Sequence, residues 1–279
     1  MTDLYSPQFD FILKYLQAKR GLNFGGNRSF MLKRRIGRWV AKTGSSGYRE
    51  YFEYLQQHTA ELSHLIDVLT INVSRFFRDT LVFDTFGKII LPALIQEKQA
   101  QKEPTLRIWS AGCATGEEPY SIAMLLQEFF KKEPPTFNLS LFATDIDNKS
   151  LSCARQAKYS PESIQNITVK RLKAYFDTQP GGYQLKPEIR AMVSFSHFDL
   201  LSTSHFSPPE SIFGDFDIIF CRNVLIYFNA DFQEVIFEKL HRSLRKNGLL
   251  VLGEAEILPV KYEGSFGKRT ACCKIYRKI

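Results

Sequence analysis

The sequence predicts an α/β fold in which a small helical domain precedes a largely parallel, Rossmann-like sheet. Three observations carry this. Up to about residue 70, apolar residues recur at helical spacing without a strand-like run. From residue 105, the short apolar runs LRIWSAG, LSLFATD, MVSFSHFDL, FDIIFCRN and GLLVLGEAE each end near polar residues, with helical patterns between most of them. The stretch WSAGCATGEEPYSIAMLL, residues 109–126, reads as a strand, a glycine-containing loop and a helix. Such alternation implies a sheet covered on both faces, with ligands at the carboxyl ends of its strands.

The helical part divides into four stripes. Phe9, Ile12, Leu13 and Leu16 follow Ser6-Pro7, a plausible cap and first-turn pair, and Gly21 can end that helix. Leu32, Ile36, Trp39 and Val40 make the second stripe after Ser29. Tyr48, Tyr51, Phe52 and Leu55 make the third, and Leu62, Leu65, Ile66 and Leu69 the fourth. The expected division is residues 1–75 as a helical domain and 76–279 as the sheet domain. Within the latter, residues 155–195 form a small β insertion, with a turn at Pro180-Gly181-Gly182. The segment TACCKIYRKI is expected to return as an antiparallel edge strand.

Charge is unevenly placed. No acidic residue lies between Asp10 and Glu50, whereas Lys14, Lys19, Arg20, Arg28, Lys33, Arg34, Arg35, Arg38, Lys42 and Arg49 do. These outnumber the net +8 of the chain, so the remainder is slightly acidic. A local positive field of this kind attracts an anionic partner, whether nucleic acid, a lipid surface or an acidic protein. Arg35, Arg38 and Lys42 share one helix face, which reads equally as an ordinary solvated surface. No apolar run approaches a membrane span and no secretory signal is evident, which favours a cytoplasmic setting. Cys113, Cys153, Cys221, Cys272 and Cys273 lack CxxC spacing, so neither a disulfide framework nor a zinc site is expected.

The first loop shows what the sheet binds. Gly112 and Gly116 match neither GxGxxG nor a P-loop, and no lysine is present to meet a phosphate. Glu117 and Glu118 would repel an anion at a helix start, where backbone amides otherwise attract one. A ligand with an amino group beside a nucleoside suits the loop better, and S-adenosylmethionine has that makeup. Thr115-x-x-Glu118 also matches a capping box, and Glu118 could instead cap a helix starting at Pro119. The functional assignment therefore falls on Glu117. Asp145, ending the second strand, can accept hydrogen bonds from ribose hydroxyls, and Asp147 competes with it or caps the next helix. The third strand delivers Asp199 and Leu200, suited to an adenine amino group and ring face.

INVSRFFRD (71–79), the loop at 109–126 and FCRNVLIYF (220–228) together resemble the CheR family of chemotaxis receptor methyltransferases. The resemblance spans nearly the whole chain. It implies a class I S-adenosylmethionine-dependent methyltransferase domain behind the helical domain. The implied activity is protein-glutamate O-methylation of chemoreceptors, with S-adenosylhomocysteine as product and no metal. Asn72, Ser74 and Arg78 fall on a motif of the cofactor site, Ser74 keeping the hydroxyl of the usual threonine. Glu117 and Asp145 fall on the positions that hold the methionine end and the ribose, Asp199 and Leu200 on a pair beside adenine. Arg222, Asn223 and Val224 match the segment lining the cofactor at the fourth strand. GEAE at 253–256 departs from the frequent GHSE, and the short QPGG turn resembles relatives that need no receptor pentapeptide tether.

A receptor glutamate is ionised at neutral pH, so methyl transfer to it needs alignment rather than a general base. Arg78 is expected to organise the pocket or steer the substrate. Tyr227 is expected near the methyl group, with plain packing as the competing reading; Phe76 and Phe77 are read as packing residues. Arg34, Arg35, Arg38 and Lys42 would then dock the glutamate-rich cytoplasmic helices of membrane receptors, with the enzyme a monomer recruited to receptor arrays. An RNA or small-molecule methyltransferase and a non-catalytic cofactor sensor are the competing classes.

Overall fold

The computed structural model describes residues 7–20, 29–69, 74–101, 105–131, 138–211 and 214–279. It separates into two compact units. One comprises Met1–Ile71 with Ile226–Glu234, the other Asn72–Leu225 with Val235–Ile279.

The first unit is built on α1 (Pro7–Arg20), α2 (Ser29–Lys42), α3 (Tyr48–Gln57) and α4 (Thr59–Leu69). Their apolar stripes close on one core of Phe9, Ile12, Leu16, Ile36, Val40, Tyr51, Leu55, Leu65, Ile66 and Leu69. One buried carboxylate ties three of the helices: Glu61 Oε1 accepts from Trp39 Nε1 and from Tyr51 Oη, both at 2.7 Å. Burial, reinforced by this bond, pushes the Tyr51 phenol far above its ordinary range. Gly21 lies outside the described residues, as does the Ser6 cap.

The second unit opens with a helix the sequence reading did not place. It runs from α5 (Thr80–Thr85) through a π-helical segment (Phe86–Ile90) into α6 (Leu91–Gln101). Val82, Phe86, Ile90 and Leu94 are its buried positions at every fourth residue. Phe83, Leu91 and Ile95 are buried beside them, so the stripe keeps three- and four-residue spacing through the π turn.

The remaining elements are β1 (Thr105–Ala111), α7 (Glu117–Phe130), β2 (Asn138–Asp145), α8 (Asn148–Gln156), β3 (Lys158–Tyr159), α9 (Val169–Tyr175), β4 (Phe176–Gln179) and β5 (Gly182–Leu185). Then follow α10 (Pro187–Arg190), β6 (Val193–His197), β7 (Phe216–Cys221), α11 (Ala230–Ser243), β8 (Leu244–Leu252), β9 (Phe266–Lys268) and β10 (Ile275–Lys278). The main sheet has the order β6-β2-β1-β7-β8-β10-β9. Its first five strands are parallel, and β10 runs antiparallel to β8 and β9. The C-terminal segment is thus antiparallel as expected but not at the edge, because the short β9 lies outside it. A separate antiparallel sheet, β3-β5-β4, occupies Lys158–Leu185, with its β4–β5 turn at Pro180-Gly181.

β7 is buried along its whole length, and β1 along most of it, as parallel strands covered on both faces must be. At the amino-terminal end of β7, Asp217 is paired with the buried Lys98 at 2.8 Å and with Arg245 at 2.9 Å. From β1 the chain winds outward through β2 to β6, then crosses back to β7 and β8. The direction reverses between β1 and β7, so a crevice is expected outside the carboxyl ends of those two strands.

Candidate functional site

At this reversal point two backbone segments meet. Gly112 and Cys113, just past β1, donate their N–H groups to the Thr144 carbonyl at 2.8 and 2.9 Å. Gly112 has φ +78°, and a Cβ there would lie 2.3 Å from Val224 Cγ2 in the segment after β7. Only glycine suits both the conformation and the approach.

The expected capping box is not formed. α7 starts at Glu117 behind Gly116, which makes no side-chain cap. The Thr115 hydroxyl donates instead to Glu117 Oε2 at 2.7 Å. Glu118 turns inward, accepting from Ser110 Oγ at 2.8 Å and from Arg222 Nη1 at 3.0 Å. Burial nonetheless holds the Glu118 carboxyl above its ordinary range, outweighing the Arg222 charge.

Glu117 is only 2% exposed. The Thr115 hydroxyl donates to its carboxylate. Burial pushes its carboxyl upward, and the Thr115 hydroxyl, its own backbone N–H and the nearby Ser74 and Ser163 partly offset the shift. Asp145 ends β2 with Oδ2 accepting from Ala114 N at 2.8 Å and Oδ1 from Asp147 N at 3.0 Å. Its carboxyl is likewise raised by burial. Asp147 is the helix cap, accepting from Lys149 N at 2.8 Å and Ser150 Oγ at 2.7 Å. The two neighbouring acids are therefore separated by role, and Asp145 is the one held on the first loop.

Asp199 turns the chain after β6, its Oδ1 accepting from Leu201 N at 2.8 Å, and Leu200 is buried. This loop is held by a residue the sequence reading passed over. Lys239, 3% exposed, donates to the carbonyls of Ser202 at 2.5 Å and His205 at 2.9 Å. The available signal was a lysine beside Ile236, Phe237 and Leu240 on the buried face of α11.

Arg222 directs its guanidinium into the framework. Besides Glu118, it donates through Nη2 to Asp79 Oδ2 at 2.7 Å and to the Arg78 carbonyl at 2.9 Å. It also lies over the Phe83 ring. Asn223, with φ +60°, and Val224 follow in a turn governed by one acid. Glu256, 3% exposed, accepts from Val224 N at 2.8 Å and Leu225 N at 2.7 Å on Oε1. Its Oε2 accepts from Asn223 N at 3.0 Å and Gly253 N at 2.7 Å. GEAE thus carries a role for its final glutamate that the departure from GHSE leaves intact.

The first motif is locked to α7 through Phe77 N, which donates to Ser121 Oγ at 2.9 Å. Phe76 and Phe77 are buried packing residues, with ring contacts to Tyr159 and Phe176 and to Phe83 respectively. Arg78 is half-buried beside them, whereas Asn72 lies outside the described residues. Tyr227 belongs to the first unit, half-buried against its apolar cluster. On α2, Arg34, Arg38 and Lys42 are exposed, and Arg35 is half-buried with Nη1 donating to the Leu69 carbonyl at 3.4 Å.

Within the second unit, Ser74, Glu117 and Asp145 converge on the first loop, and Val224 closes against it. Among the described residues neither Glu117 nor Asp145 makes an ion pair. Two desolvated carboxylates without a cation suit a ligand that brings positive charge and ribose hydroxyls but no phosphate. These residues therefore fit S-adenosylmethionine. No group of residues able to hold a metal ion occurs among the described residues.

Residues 72–273 match the family described as "CheR methyltransferase, SAM binding domain", and residues 7–70 match "CheR methyltransferase, all-alpha domain". The chain is 32% identical over 258 residues to "Chemotaxis protein methyltransferase 1" of Pseudomonas aeruginosa, covering 91% of each. It is 31% identical over 250 residues to "Chemotaxis protein methyltransferase" of Borreliella burgdorferi, covering 88% of this chain and 87% of that one. A protein of the same description from Listeria monocytogenes is 31% identical over 246 residues, with 88% of each covered. Helical unit, parallel sheet with small antiparallel partner, and acid-lined first loop agree with these matches over almost the whole chain, which belongs to the CheR family of S-adenosylmethionine-dependent methyltransferases.

Proposed function

We propose that this enzyme transfers the methyl group of S-adenosylmethionine to glutamate side chains of chemoreceptors, forming glutamyl methyl esters and S-adenosylhomocysteine. The observation that carries the cofactor end is a pair of carboxylates at the first loop, Glu117 buried and Asp145 half-buried, neither with an ion-pair partner among the described residues. Glu117 accepts the ammonium of the methionine end, Asp145 the ribose hydroxyls, and Asp199 with Leu200 receives adenine. Asn72, Ser74 and Arg78 complete the methionine side, while Asn223 and Val224 line the cofactor through their backbone. Arg222 serves that segment by fixing it from behind.

The bound cofactor supplies an electrophilic methyl on a sulfonium. The chain needs no base for a carboxylate nucleophile that is already ionised; it must hold the two reactants in line and strip water from one oxygen. Arg78 steers the incoming carboxylate without clamping the reacting oxygen, and Tyr227 shapes the substrate entry. The helical domain serves docking, and the sheet domain, with Asn72 and Ser74 of the first motif, serves catalysis. The face of Arg34, Arg35, Arg38 and Lys42 attracts the acidic signalling helix of a receptor in the cytoplasm.

The test is incubation of labelled cofactor with receptor-containing membranes, followed by base. Volatile methanol, absent with Glu117→Ala and Asp145→Ala, is the expected result. Label that stays non-volatile in base would refute ester formation.

A further inference from the structure

Two adjacent cysteines between β9 and β10 meet one threonine of α5. Their connection is closed by Arg269 N, which donates to the Ile275 carbonyl at 2.9 Å, and by Thr270 Oγ1, which donates to the Cys273 carbonyl at 2.9 Å. Out of it Cys272 and Cys273 bring their sulfurs to 3.5 Å from each other. Thr85 Oγ1 stands 3.7 Å from Cys272 Sγ and 3.6 Å from Cys273 Sγ. Cys272 is exposed, whereas Cys273 is buried in the main apolar core, and both thiols are free.

Each side of this cluster leads to a segment of the proposed pocket. Thr85 is the last residue of α5, and that helix starts behind Asp79, the partner of Arg222. Lys274, next after Cys273, donates Nζ to the Glu256 carbonyl at 2.6 Å, and its own carbonyl accepts from Leu252 N at 2.9 Å. Glu256 in turn holds the backbone of residues 223–225.

We propose that Cys272 and Cys273 are a redox modification site: a peroxide oxidises them to a reversible vicinal disulfide, which loosens the Glu256-held wall of the cofactor pocket. The loss of cofactor affinity, but not the disulfide itself, rests on the reading of that pocket as an S-adenosylmethionine site.

The exposed sulfur is the one that meets the oxidant. The Thr85 hydroxyl, with the Cys273 thiol, draws the Cys272 thiol below its ordinary range and so favours the reactive thiolate, while burial raises Cys273. The Cys272 thiolate attacks one peroxide oxygen and the O–O bond breaks, leaving a sulfenic acid and a hydroxide that takes up the proton Cys272 released. Cys273 then attacks the Cys272 sulfur. The S–S bond forms, the S–O bond breaks, and water leaves with the Cys273 proton. Two electrons pass from the thiols to one peroxide, which ends as two waters. A dithiol reverses the step by exchange, itself becoming the disulfide. Neighbouring Cα atoms are about 3.8 Å apart, short of the ~4.4–6.8 Å that disulfides usually span, so the ring is strained and readily reduced. That strain falls on the backbone directly before Lys274, whose ammonium holds Glu256. Plain packing would bury both sulfurs and has no use for a hydroxyl set against the pair.

The experiment treats the reduced full chain with hydrogen peroxide and weighs the peptide that carries both cysteines by mass spectrometry. Calorimetric titration with S-adenosylmethionine and S-adenosylhomocysteine follows on the reduced chain, the oxidised chain and the chain restored with dithiothreitol. The oxidised peptide should be lighter by two hydrogens and resist alkylation, S-adenosylmethionine should bind severalfold more weakly, and dithiothreitol should restore both. Thr85→Val should slow the oxidation severalfold and leave the affinity of the reduced chain unchanged. Cys273→Ser should stop at a sulfenic acid on Cys272, captured by dimedone. Cys272→Ser should keep its affinity through the peroxide treatment, although Cys153 stays exposed on α8. Two alkylatable thiols in the peptide after peroxide would overturn the site. A vicinal disulfide with parental affinity, or an equal loss of affinity in Cys272→Ser, would overturn its coupling to the pocket. A reduced chain that binds neither nucleoside would overturn the cofactor reading, while the peptide mass still decides the disulfide.

Discussion

Arg222 donates to Glu118 at 3.0 Å from the end of β7, and through its other Nη to Asp79 at 2.7 Å. One guanidinium thus joins the first motif, α7 and the fourth parallel strand, and all three carry residues of the proposed pocket. The Arg222 side chain is 2% exposed and that of Glu118 12%, so neither charge has much water to fall back on.

Removing one partner should therefore cost more than the pair contributes. Glu118→Ala is expected to lower unfolding free energy by about 1–3 kcal/mol, the loss of a hydrogen bond to a charged group, because Arg222 keeps Asp79 and the Arg78 carbonyl. Urea unfolding measures this. Replacing both partners, Glu118→Leu with Arg222→Met, should recover part of the loss, with Asp79 then the residual unpaired acid. Unchanged stability in Glu118→Ala would show that the clasp is incidental.

Glu117 should show the opposite sign. Its carboxyl is raised by burial, so the ionised form is a burden on the ligand-free fold. Glu117→Gln removes the charge while keeping the shape. The expected outcome is unfolding free energy equal to or above the parent, with S-adenosylmethionine affinity lower by at least tenfold, the loss of a charge-assisted hydrogen bond. Thermal unfolding and calorimetry on the same sample would separate the two effects.

Much of this site was legible because its residues announce themselves by type and order. Glu117 and Asp145 end up on one loop because a parallel sheet delivers successive strand ends to one edge, which alternation alone implies. The rest depends on contacts without sequence periodicity. Tyr159 reaches the Thr115 carbonyl from a separate sheet, Lys239 holds a loop through carbonyls, and Glu256 gathers backbone N–H groups from two segments. The helix at 80–101 was legible in its apolar residues Val82, Phe83, Phe86, Ile90, Leu91, Leu94 and Ile95, at three- and four-residue spacing, and was passed over. The β9 edge strand spans three residues, too few for an alternation to register.

Proton linkage follows from the same two acids. In the ligand-free chain the Glu117 and Asp145 carboxyls lie above their ordinary values, burial being the first cause for each. Between the ordinary and raised values the native chain holds protons that the unfolded chain has released. These groups therefore favour the fold on the acid side of that window, and their contribution is lost as pH rises through it. A cationic ligand draws both carboxyls down again. Binding of S-adenosylmethionine should release protons at mildly acidic pH and tighten as pH rises through the window. Binding enthalpies in buffers of different ionisation heat would reveal the sign, and proton uptake would contradict the assignment.

Glu256 is a framework residue, since its carboxylate accepts four backbone N–H groups from two segments. Glu256→Ala strands these donors, each at a cost of about 1–3 kcal/mol where water cannot replace the acceptor. Lower stability and weaker cofactor binding are expected together, because Val224 is the wall that meets Gly112. Glu256→Gln keeps one carbonyl acceptor and should lie between. Hydrogen exchange at residues 223–225 should rise in the same order, and unaltered exchange in Glu256→Ala would count against the role.

The basic face of α2 tests the other half of the proposed function. Arg38 and Lys42 are exposed, Arg35 is half-buried, and α2 has no acid in its first turn to offset them. An exposed cluster of one sign acts over roughly a Debye length of 10 Å at 0.1 M salt, so it governs encounter more than the bound state. Reversing Arg35 and Arg38 to glutamate should raise the receptor KM severalfold while leaving S-adenosylmethionine affinity unchanged. Because Arg35 also donates to the Leu69 carbonyl, the fold of the double variant must be checked by circular dichroism. Added salt should raise the parent's KM and hardly alter the variant's, since the variant has lost the attraction that salt screens. Equal salt dependence in both proteins would move the receptor-docking surface elsewhere on the chain.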